Sequence, residues 1–371
     1  MKKTNRNFLW IGATMFILVA GCTNPTNQFV AKDVQPSHTA PVIPSATSTQ
    51  QLPTQSPTPQ LPAEQPVTEI ALSGPLADPS AEVSGLAWFG DYLIILPQYP
   101  ERFSESGSGF IYALAKADIL AYLDGQSNQP LEPKAIPFEA PRMKDRIRRY
   151  QGYEAIAFSG NNAYLLIEAG RKDEMMGYLV SGQMSPDMSK LSIDTDKIAP
   201  IQPQTTLKNK AYEAMVILND QILTFYEVNG ADLNPQPVTH VFNLNLQPQG
   251  TLSMPALEYG LTDAALESDG NRFWVINDFF INDIELLSAH DPLADTFGKG
   301  PTHTQFPIVE RLVEMQYSPS GITLTSTAPI QLQLPSIAGR NWEGLVLLDQ
   351  RGFLLMTDKF PETILGFVPL P

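Results

Sequence analysis

The sequence of 371 residues has one cysteine, Cys22, and four histidines. A single cysteine forms no intramolecular disulfide and builds no thiolate zinc site. There is also no His-Glu-x-x-His pair, no Gly-x-Ser-x-Gly elbow and no glycine-rich phosphate loop ending in Lys-Ser/Thr. These absences exclude the common signatures of zinc proteases, serine hydrolases and nucleotide hydrolases. The folded part of the chain must depend on a hydrophobic core, for which it is long enough.

Basic residues are scarce as well, with 24 Lys and Arg against 39 Asp and Glu, giving a net charge of −15. Three of the basic residues, Lys2, Lys3 and Arg6, stand at the start of the chain, so the remainder carries −18. A charge of this sign disfavours nucleic acid and anionic membrane surfaces as nonspecific partners. It is compatible with cation binding or with solubility alone.

The first residues form an export signal. The apolar run 8–20 follows the basic start and is too short to span a bilayer. The sequence Val19-Ala20-Gly21-Cys22 resembles the lipobox of bacterial lipoproteins, which implies cleavage after residue 21 and acylation of Cys22. We therefore expect a lipid-anchored protein of the cell envelope, periplasmic or at the cell surface. Thr23 does not resemble an inner-membrane retention signal, which favours the outer membrane where a cell has two.

The segment that follows the lipobox is predicted to be a disordered tether, residues 22–67. Of the 45 residues 23–67, 27 are Pro, Ser, Thr or Gln, and three are charged. Such a composition buries too little apolar surface to offset its ordering entropy. The folded body is predicted to begin at residue 68 and to continue to residue 371.

A short pattern recurs five times in the body: a polar residue, then Gly or Ala, then an apolar run. The five copies are Ser84-Gly-Leu-Ala-Trp88, Glu154-Ala-Ile-Ala-Phe158, Glu213-Ala-Met-Val-Ile217, Asp263-Ala-Ala-Leu266 and Glu343-Gly-Leu-Val-Leu347. Each is followed by a turn rich in Gly, Asn or Asp and by a second apolar run, which predicts a β-hairpin.

Each second run ends in another polar residue, 14 or 15 positions after the first. These residues are Gln98, Glu168, Glu227, Asp278 and Asp358. In an antiparallel hairpin the start of one strand lies beside the end of the next. Each repeat is therefore expected to place two polar side chains at the same edge.

The repeats predict an all-β fold, a β-propeller with five four-stranded blades, since further strand-like runs separate the hairpins. A sixth blade that lacks the motif remains an alternative. The last repeat has only three strand-like runs, so the segment 67–72 is expected to supply its fourth strand and close the ring. Residues 114–123 are the best helical stretch, and residues 279–308 form a long insertion. Its histidines, His290 and His303, are expected to be solvated.

If every motif begins at one mouth of the channel, two acidic sets converge there. The first set is Glu154, Glu213, Asp263 and Glu343, and the second is Glu168, Glu227, Asp278 and Asp358. Carboxylates about 6 Å apart repel each other by roughly 3 kcal/mol at an effective dielectric constant of 20. A bound cation, basic neighbours or raised pKa values must offset this repulsion, and hard oxygen ligands suit Ca²⁺.

Basic residues precede three of the motifs: Arg149, Lys210 and Arg340. They are candidates for binding an anionic small molecule beside a metal. The alternative is that they pair with the acids, which would then be structural. Both interpretations stay open.

The segments Tyr153-Glu-Ala-Ile-Ala157 and Asn341-Trp-Glu-Gly-Leu-Val346 resemble the phytase-like (esterase-like) β-propeller family and the wider group of calcium-dependent lactonases and phytases. The resemblance covers the body from about residue 68. It implies a propeller fold and a metal-assisted hydrolase of phosphate esters or related esters. Ser84 and Gln98 depart from the acidic pattern in the first repeat.

Two functions follow. In the first, the acidic mouth holds Ca²⁺ and a carboxylate, Glu213 or Glu343, acts as base in ester hydrolysis. In the second, the propeller is a non-catalytic binding module that displays loops 99–108, 142–152 and 279–308 to a partner at the envelope. In either case we expect a monomer.

Overall fold

The computed structural model describes residues 61–104, 109–171 and 174–371. The predicted export signal, Cys22 and the predicted tether as far as residue 60 lie outside the described residues. In the described ranges short antiparallel strands joined by tight turns supply most of the regular structure.

The strands follow the chain in five groups after two short N-terminal strands. The N-terminal strands are β1 (Glu64–Gln65) and β2 (Thr68–Ile70). The first blade contains β3 (Val83–Phe89), β4 (Tyr92–Pro97), β5 (Gly109–Ala115) and β6 (Lys134–Glu139). The second contains β7 (Tyr150–Ser159), β8 (Asn162–Arg171), β9 (Glu174–Met184) and β10 (Leu191–Ile201). The third contains β11 (Tyr212–Leu218), β12 (Gln221–Tyr226), β14 (Val238–Asn243) and β15 (Pro248–Ser253), with β13 (Val228–Asn229) crossing to the next blade. The fourth contains β16 (Leu257–Leu266), β17 (Arg272–Phe279), β18 (Val309–Ser318), β19 (Gly321–Leu324) and β20 (Ile330–Leu332). The fifth contains β21 (Trp342–Leu348), β22 (Gly352–Thr357) and β23 (Leu365–Pro369).

The predicted β-propeller is confirmed, and its described residues form five blades. The first strand of each blade packs on the first strand of the next, and β21 of the fifth blade packs on β3 of the first, so the inner strands form a closed ring. Five clusters of buried apolar side chains occupy the interfaces between neighbouring blades. Because each interface has a cluster of its own, the hydrophobic core is distributed around the ring.

The fifth blade is completed by the N-terminal segment, as predicted from residues 67–72. Strand β2 pairs antiparallel with β23, with Thr68 opposite Phe367 and Ile70 opposite Leu365. The fourth strand of the last blade therefore comes from the beginning of the body, which links the two ends of the ring.

Helices are confined to the connections. They are α1 (Lys116–Leu123), α2 (Met143–Arg146), α3 (Pro292–Phe297) and α4 (Pro301–Gln305), with 3₁₀ turns at Gly74–Ala77, Pro100–Phe103 and Ile281–Leu286. Helix α1 lies within the range predicted to be helical. The insertion between β17 and β18 carries α3, α4 and the last of the 3₁₀ turns. No helix in the described ranges is long and apolar enough to cross a membrane.

Residues 64–67 belong to the body, although the sequence assigns them to the tether. Strand β1 pairs in parallel with β20, and the Glu64 side chain is 5% exposed. Its carboxylate accepts hydrogen bonds from the backbone N–H groups of Thr302 and His303, both at 3.0 Å, and lies 2.8 Å from Nδ1 of His303. The expectation that His303 is solvated is therefore wrong, whereas His290 is exposed. Because the residues around Glu64 are mostly polar, the sequence does not indicate that this side chain is held in the folded body.

Candidate functional site

Each innermost strand contains a β-bulge at the motif. The pairing between the first two strands of each blade shifts there by one residue, and in the fourth blade Thr262 and Asp263 together lie opposite Ile276. The bulged residues are Ser84, Glu154, Glu213, Thr262 with Asp263, and Glu343. A bulge removes a residue from the regular alternation and re-aims its side chain. In four of the five blades the polar first residue of the motif is in this way turned toward the end of the channel.

The small second residue of the motif has a packing reason. A Cβ atom on Gly85 would lie 3.2 Å from Cα of Ala155, and one on Gly344 would lie 2.7 Å from Cγ of Leu86. Neighbouring inner strands approach each other closely at these points. Gly or Ala is required where the bulges of two blades meet.

The bulged side chains line a cavity of about 360 Å³ at the mouth of the channel. Its lining residues include Ser84 and Thr262 together with eight acids and two lysines. The acids are Glu82, Glu154, Glu168, Glu213, Glu227, Asp283, Glu343 and Asp358, and the lysines are Lys210 and Lys359. We call this cavity the acidic cleft. It brings together six of the eight acids proposed from the sequence.

Asp263 is not among the residues of the acidic cleft. Its carboxylate accepts hydrogen bonds from the backbone N–H groups of Leu345, at 2.6 Å, and Ala264, at 2.8 Å. Thr262 occupies the cleft position instead, and its hydroxyl donates to the backbone oxygen of Trp342 at 2.6 Å. Ser84 makes the same contact with the backbone oxygen of Tyr153, also at 2.6 Å. The structural counterpart of Ser84 in the fourth blade is therefore Thr262, and Asp263 joins that blade to the fifth.

Asp278 is also separate from the acidic cleft. It is 5% exposed and lines a smaller neighbouring cavity. Burial, followed by the nearby carboxylate of Glu310, raises its pKa well above the ordinary value. The expected second acidic set is thus reduced to Glu168, Glu227 and Asp358.

Hydrogen bonds hold part of the remaining set in place. The side-chain amide of Gln98 donates to the Glu154 carboxylate at 3.1 and 3.3 Å. Asn341 donates from Nδ2 to Oε1 of Glu343 at 2.6 Å. Gly152 permits the first contact, since a Cβ atom there would lie 2.4 Å from Cγ of Gln98. Gln98 therefore supports an acid of the adjacent blade, although it is not acidic itself.

The environment of the cleft disfavours charge on its acids. Desolvation, followed by the Glu168 carboxylate, raises the pKa of Glu154 well above its ordinary value. Desolvation also raises the pKa of Glu213, with Glu227 and Glu343 adding to the effect, and that of Glu343, with Asp358 adding. For Glu168, desolvation and the Glu227 carboxylate raise the pKa to about 8. Several of these groups hold protons near neutral pH unless positive charge enters the cleft.

Three carboxylate oxygens in the cleft are buried and have no hydrogen-bond partner within the described part of the chain. They are Oε1 of Glu168, Oε2 of Glu213 and Oε2 of Glu227. Glu168 and Glu227 are 4% and 6% exposed. Because buried polar atoms are almost always paired, three such oxygens around one cavity need an explanation.

Of the three basic residues proposed from the sequence, only Lys210 lies in the cleft. Its Nζ atom is 2.5 Å from Oε1 of Glu227 and 2.9 Å from Oδ2 of Asp283. Burial acts to lower the pKa of Lys210, but the surrounding carboxylates outweigh it and raise the pKa, so the lysine stays charged. Arg340 instead forms a buried pair with Glu310, and Arg149 is exposed and does not line the cleft.

The sequence did not identify several residues at the rim of the cleft, among them Glu82, Lys359 and Asp283. Lys359 follows Asp358 directly and forms an ion pair with Glu82, which also pairs with Arg102. Asp283 comes from the insertion after β17, where no repeat marks it. Position next to a motif acid was the only signal that could have indicated Lys359.

The loops predicted to face a partner also contribute to this rim. Tyr99 comes from loop 99–108, Gln151 from loop 142–152, and Phe280 and Asn282 from the insertion 279–308. All three loops therefore meet at the mouth that contains the acids.

The carboxylates do not form a ready-made metal site. No group of three or more His, Cys, Asp or Glu side chains in ranges 61–104, 109–171 and 174–371 is arranged to hold a metal ion. The donor chemistry nevertheless fits a hard cation, because carboxylate oxygens with unused lone pairs surround the cavity. Binding would require small movements of side chains such as Glu213 and Glu343.

The fold has counterparts among solved structures, all of low similarity. A GH43_1 enzyme from Xanthomonas citri is 11% identical, with 81% of this chain and 91% of that chain covered and a TM-score of 0.45. The GH43 endo-arabinanase from Bacillus licheniformis is 10% identical, with 80% and 94% covered and a TM-score of 0.43. Hydrazine synthase from Kuenenia stuttgartiensis is 7% identical, with 74% and 61% covered and a TM-score of 0.37, so this chain spans less than two thirds of that one. No family model and no curated protein matches the sequence. Similarities of this size identify no substrate or reaction.

Proposed function

We propose that the acidic cleft binds a divalent cation, Ca²⁺, and that the protein is a metal-dependent hydrolase of phosphate esters or related esters. The observation that carries the proposal is the set of three buried carboxylate oxygens without partners, on Glu168, Glu213 and Glu227, around one cavity. A cation would contact these oxygens and offset the repulsion among the carboxylates.

The energetics favour a cation over a purely structural role. A buried polar atom without a partner costs about 1–3 kcal/mol, and more when it is charged. The lysines do not remove this cost, because Lys210 already contacts Glu227 and Asp283, and Lys359 contacts Glu82. An ion held by Glu168, Glu213 and Glu227 would supply the missing positive charge.

A bound Ca²⁺ would polarise a phosphoryl or ester oxygen of a ligand. The protein's own groups supply the remaining functions. Lys210 and Lys359 line the cavity, where they can contact an anionic group of the ligand, and Tyr99, Phe280 and Phe360 add aromatic surface to its wall. Glu213 and Glu343 are the candidate bases because the bulges direct them into the cavity.

Calcium titration of the full-length protein in detergent tests the proposal, read by calorimetry and by melting temperature. We expect a saturable heat and a raised melting temperature, both lost in Glu213→Gln. The matched control is Glu69→Gln, which makes the same chemical change at an exposed position on β2. The same preparations are then assayed on 4-nitrophenyl phosphate and phytate, with and without chelator.

The outcomes separate the two parts of the proposal. Calcium binding with hydrolysis that chelator abolishes supports both. Calcium binding without hydrolysis of either ester would contradict the hydrolase and favour a binding module at the envelope. If no heat and no thermal shift are seen, the cation site is wrong and the acids are structural.

We propose further that Cys22 carries a lipid that anchors the protein to the cell envelope, on the basis of the lipobox resemblance. Cells grown with radiolabelled palmitate should incorporate label into the native protein and the Thr23→Ser control, but not into Cys22→Ser. The last variant should leave the membrane fraction. Label retained in Cys22→Ser would contradict the anchor.

A further inference from the structure

A second cavity, of about 620 Å³, lies between the first and second blades. Its walls come from the end of β6, from helix α2 and from the inner and outer strands of the second blade. The apolar lining consists of Phe138, Ala140, Pro141, Met143, Tyr150, Tyr153 and Ile193. Among the described residues it shares no lining residue with the acidic cleft. A cavity of this volume is within the range that holds small organic ligands.

Tyr153 lines this cavity, and its buried hydroxyl group has no hydrogen-bond partner among the described residues. Tyr153 is 2% exposed, and its Oη atom is buried without a hydrogen bond. The ring is fixed by Phe138, with centroids 5.1 Å apart, and by Tyr150, at 5.8 Å. Its backbone is fixed as well, since its N–H donates to the backbone oxygen of Gln98 at 2.9 Å. These contacts hold the side chain in its place at the wall of the cavity.

The chemistry of this hydroxyl defines what it can bind. Burial raises the pKa of the Tyr153 phenol, so the group is neutral and carries its proton. A phenol of this kind donates readily to a carbonyl or ether oxygen. A ligand that supplied such an acceptor would satisfy a group that the protein leaves unpaired.

The charges at the rim of the cavity are already paired with one another. Lys144 forms an ion pair with Glu101, Arg142 lies 3.3 Å from Asp145, and Glu139 lies 3.0 Å from Lys190. No strong field of one sign acts on a ligand. The cavity therefore favours an uncharged molecule.

We infer that this cavity is a second ligand site, which binds an uncharged, mainly apolar molecule whose carbonyl or ether oxygen accepts a hydrogen bond from Tyr153. The inference does not rest on cation binding in the acidic cleft. The two sites lie on either side of β7, because Tyr153 lines this cavity and the next residue, Glu154, lines the cleft.

The test compares three probes of similar size on the full-length protein in detergent: acetophenone, ethylbenzene and benzoate. Acetophenone has an aromatic ring and a carbonyl, ethylbenzene lacks the acceptor, and benzoate adds a charge. Binding is measured by ligand-observed NMR. We expect acetophenone to bind about fivefold more tightly than ethylbenzene, the worth of one neutral hydrogen bond, and benzoate to bind most weakly.

Two matched variants locate the contact. In Tyr153→Phe the preference for acetophenone over ethylbenzene should disappear, while in Tyr122→Phe, the same change outside the cavity, it should persist. Without ligand, the melting temperature of Tyr153→Phe should be unchanged or higher, because a buried unpaired hydroxyl has been removed.

Three results would overturn the inference. One is that neither acetophenone nor ethylbenzene binds up to its solubility limit. Another is an equal affinity for the two in the native protein, or a preference that survives in Tyr153→Phe. The third is a clearly lowered melting temperature in Tyr153→Phe, which would show that the hydroxyl has a structural partner.

Discussion

Buried carboxylates in two regions of this propeller differ in how completely their oxygens are hydrogen-bonded. Glu310, in the fourth blade, is 1% exposed and has every oxygen occupied. It accepts hydrogen bonds from the Arg340 backbone at 2.7 Å and guanidinium at 2.7 and 2.9 Å, and from Nε1 of Trp342 at 2.8 Å. In the acidic cleft, Glu168, Glu213 and Glu227 each have an oxygen with no partner.

The basic residues that neighbour these carboxylates also differ between the two regions. Arg311 is buried and paired in a fork with Asp291, at 2.8 and 3.1 Å, and also donates to Asn277 at 2.7 Å. The lining of the cleft has eight acids and two lysines but no arginine, and only Glu82 also pairs with an arginine, Arg102. In these structural acids hydrogen-bond donors occupy the carboxylate oxygens, from Arg340 and Trp342 at Glu310 and from Arg311 at Asp291. The incomplete pairing in the cleft is what suggests a missing cation.

The largest effect on stability is expected at the fully hydrogen-bonded pair of Arg340 and Glu310. Replacing Arg340 by Met should lower the free energy of unfolding by about 3–5 kcal/mol, because Glu310 would remain buried without its partner. Urea denaturation measures this. Lys190→Met, at the exposed pair with Glu139, is the control and should change the free energy by less than about 1 kcal/mol. If Arg340→Met and Lys190→Met lowered the free energy of unfolding equally, the buried pair would be no more important for stability than the exposed one.

Substitution of an acid in the acidic cleft is expected to change the free energy of unfolding in the opposite direction. Without calcium, Glu213→Gln should raise the free energy of unfolding by about 1–2 kcal/mol, since it removes a desolvated carboxylate among like charges. With saturating calcium the native protein should become the more stable of the two. A loss of stability in Glu213→Gln under chelator would show that the carboxylate is structural, like Glu310.

The fold could be predicted from the sequence because the same hairpin motif occurs in every blade. Five hairpins with the same motif predict five blades, and the shortage of one strand at the end predicts the closing role of residues 68–70. Both conclusions depend on patterns that every blade repeats.

The site was less predictable because it depends on single bulges and on long-range contacts. In the fourth blade the bulge contains two residues, and the sequence does not show that Thr262 rather than Asp263 faces the cleft. Arg340 precedes Glu343 in sequence, yet its side chain reaches Glu310, thirty positions away. Asp283 enters from an insertion that has no counterpart in the other blades.

The effect that is sharpest in sign is in the dependence of stability on pH. The pKa of Glu168 is raised from 4.5 to about 8, so the folded protein keeps a proton that the unfolded chain has lost. The stabilisation from this group is complete below about pH 4.5 and is lost as the pH rises to about 8. Under chelator, the free energy of unfolding should therefore fall between pH 5 and 8, by at most about 1.4 kcal/mol per pH unit for each such group.

Glu64 should behave in the opposite way. Burial acts to raise its pKa, but the hydrogen bonds from His303 and Thr302 outweigh it and lower the pKa, so its contribution is lost only as the pH falls below 4.5. Urea denaturation from pH 5 to 8 should therefore show a shallower slope in Glu168→Gln and an unchanged slope in Glu64→Gln. Because calcium binds the deprotonated carboxylates, it should also reduce the slope of the native protein. Identical slopes in all three proteins would mean that the acids of the cleft ionise as freely as acids at the surface.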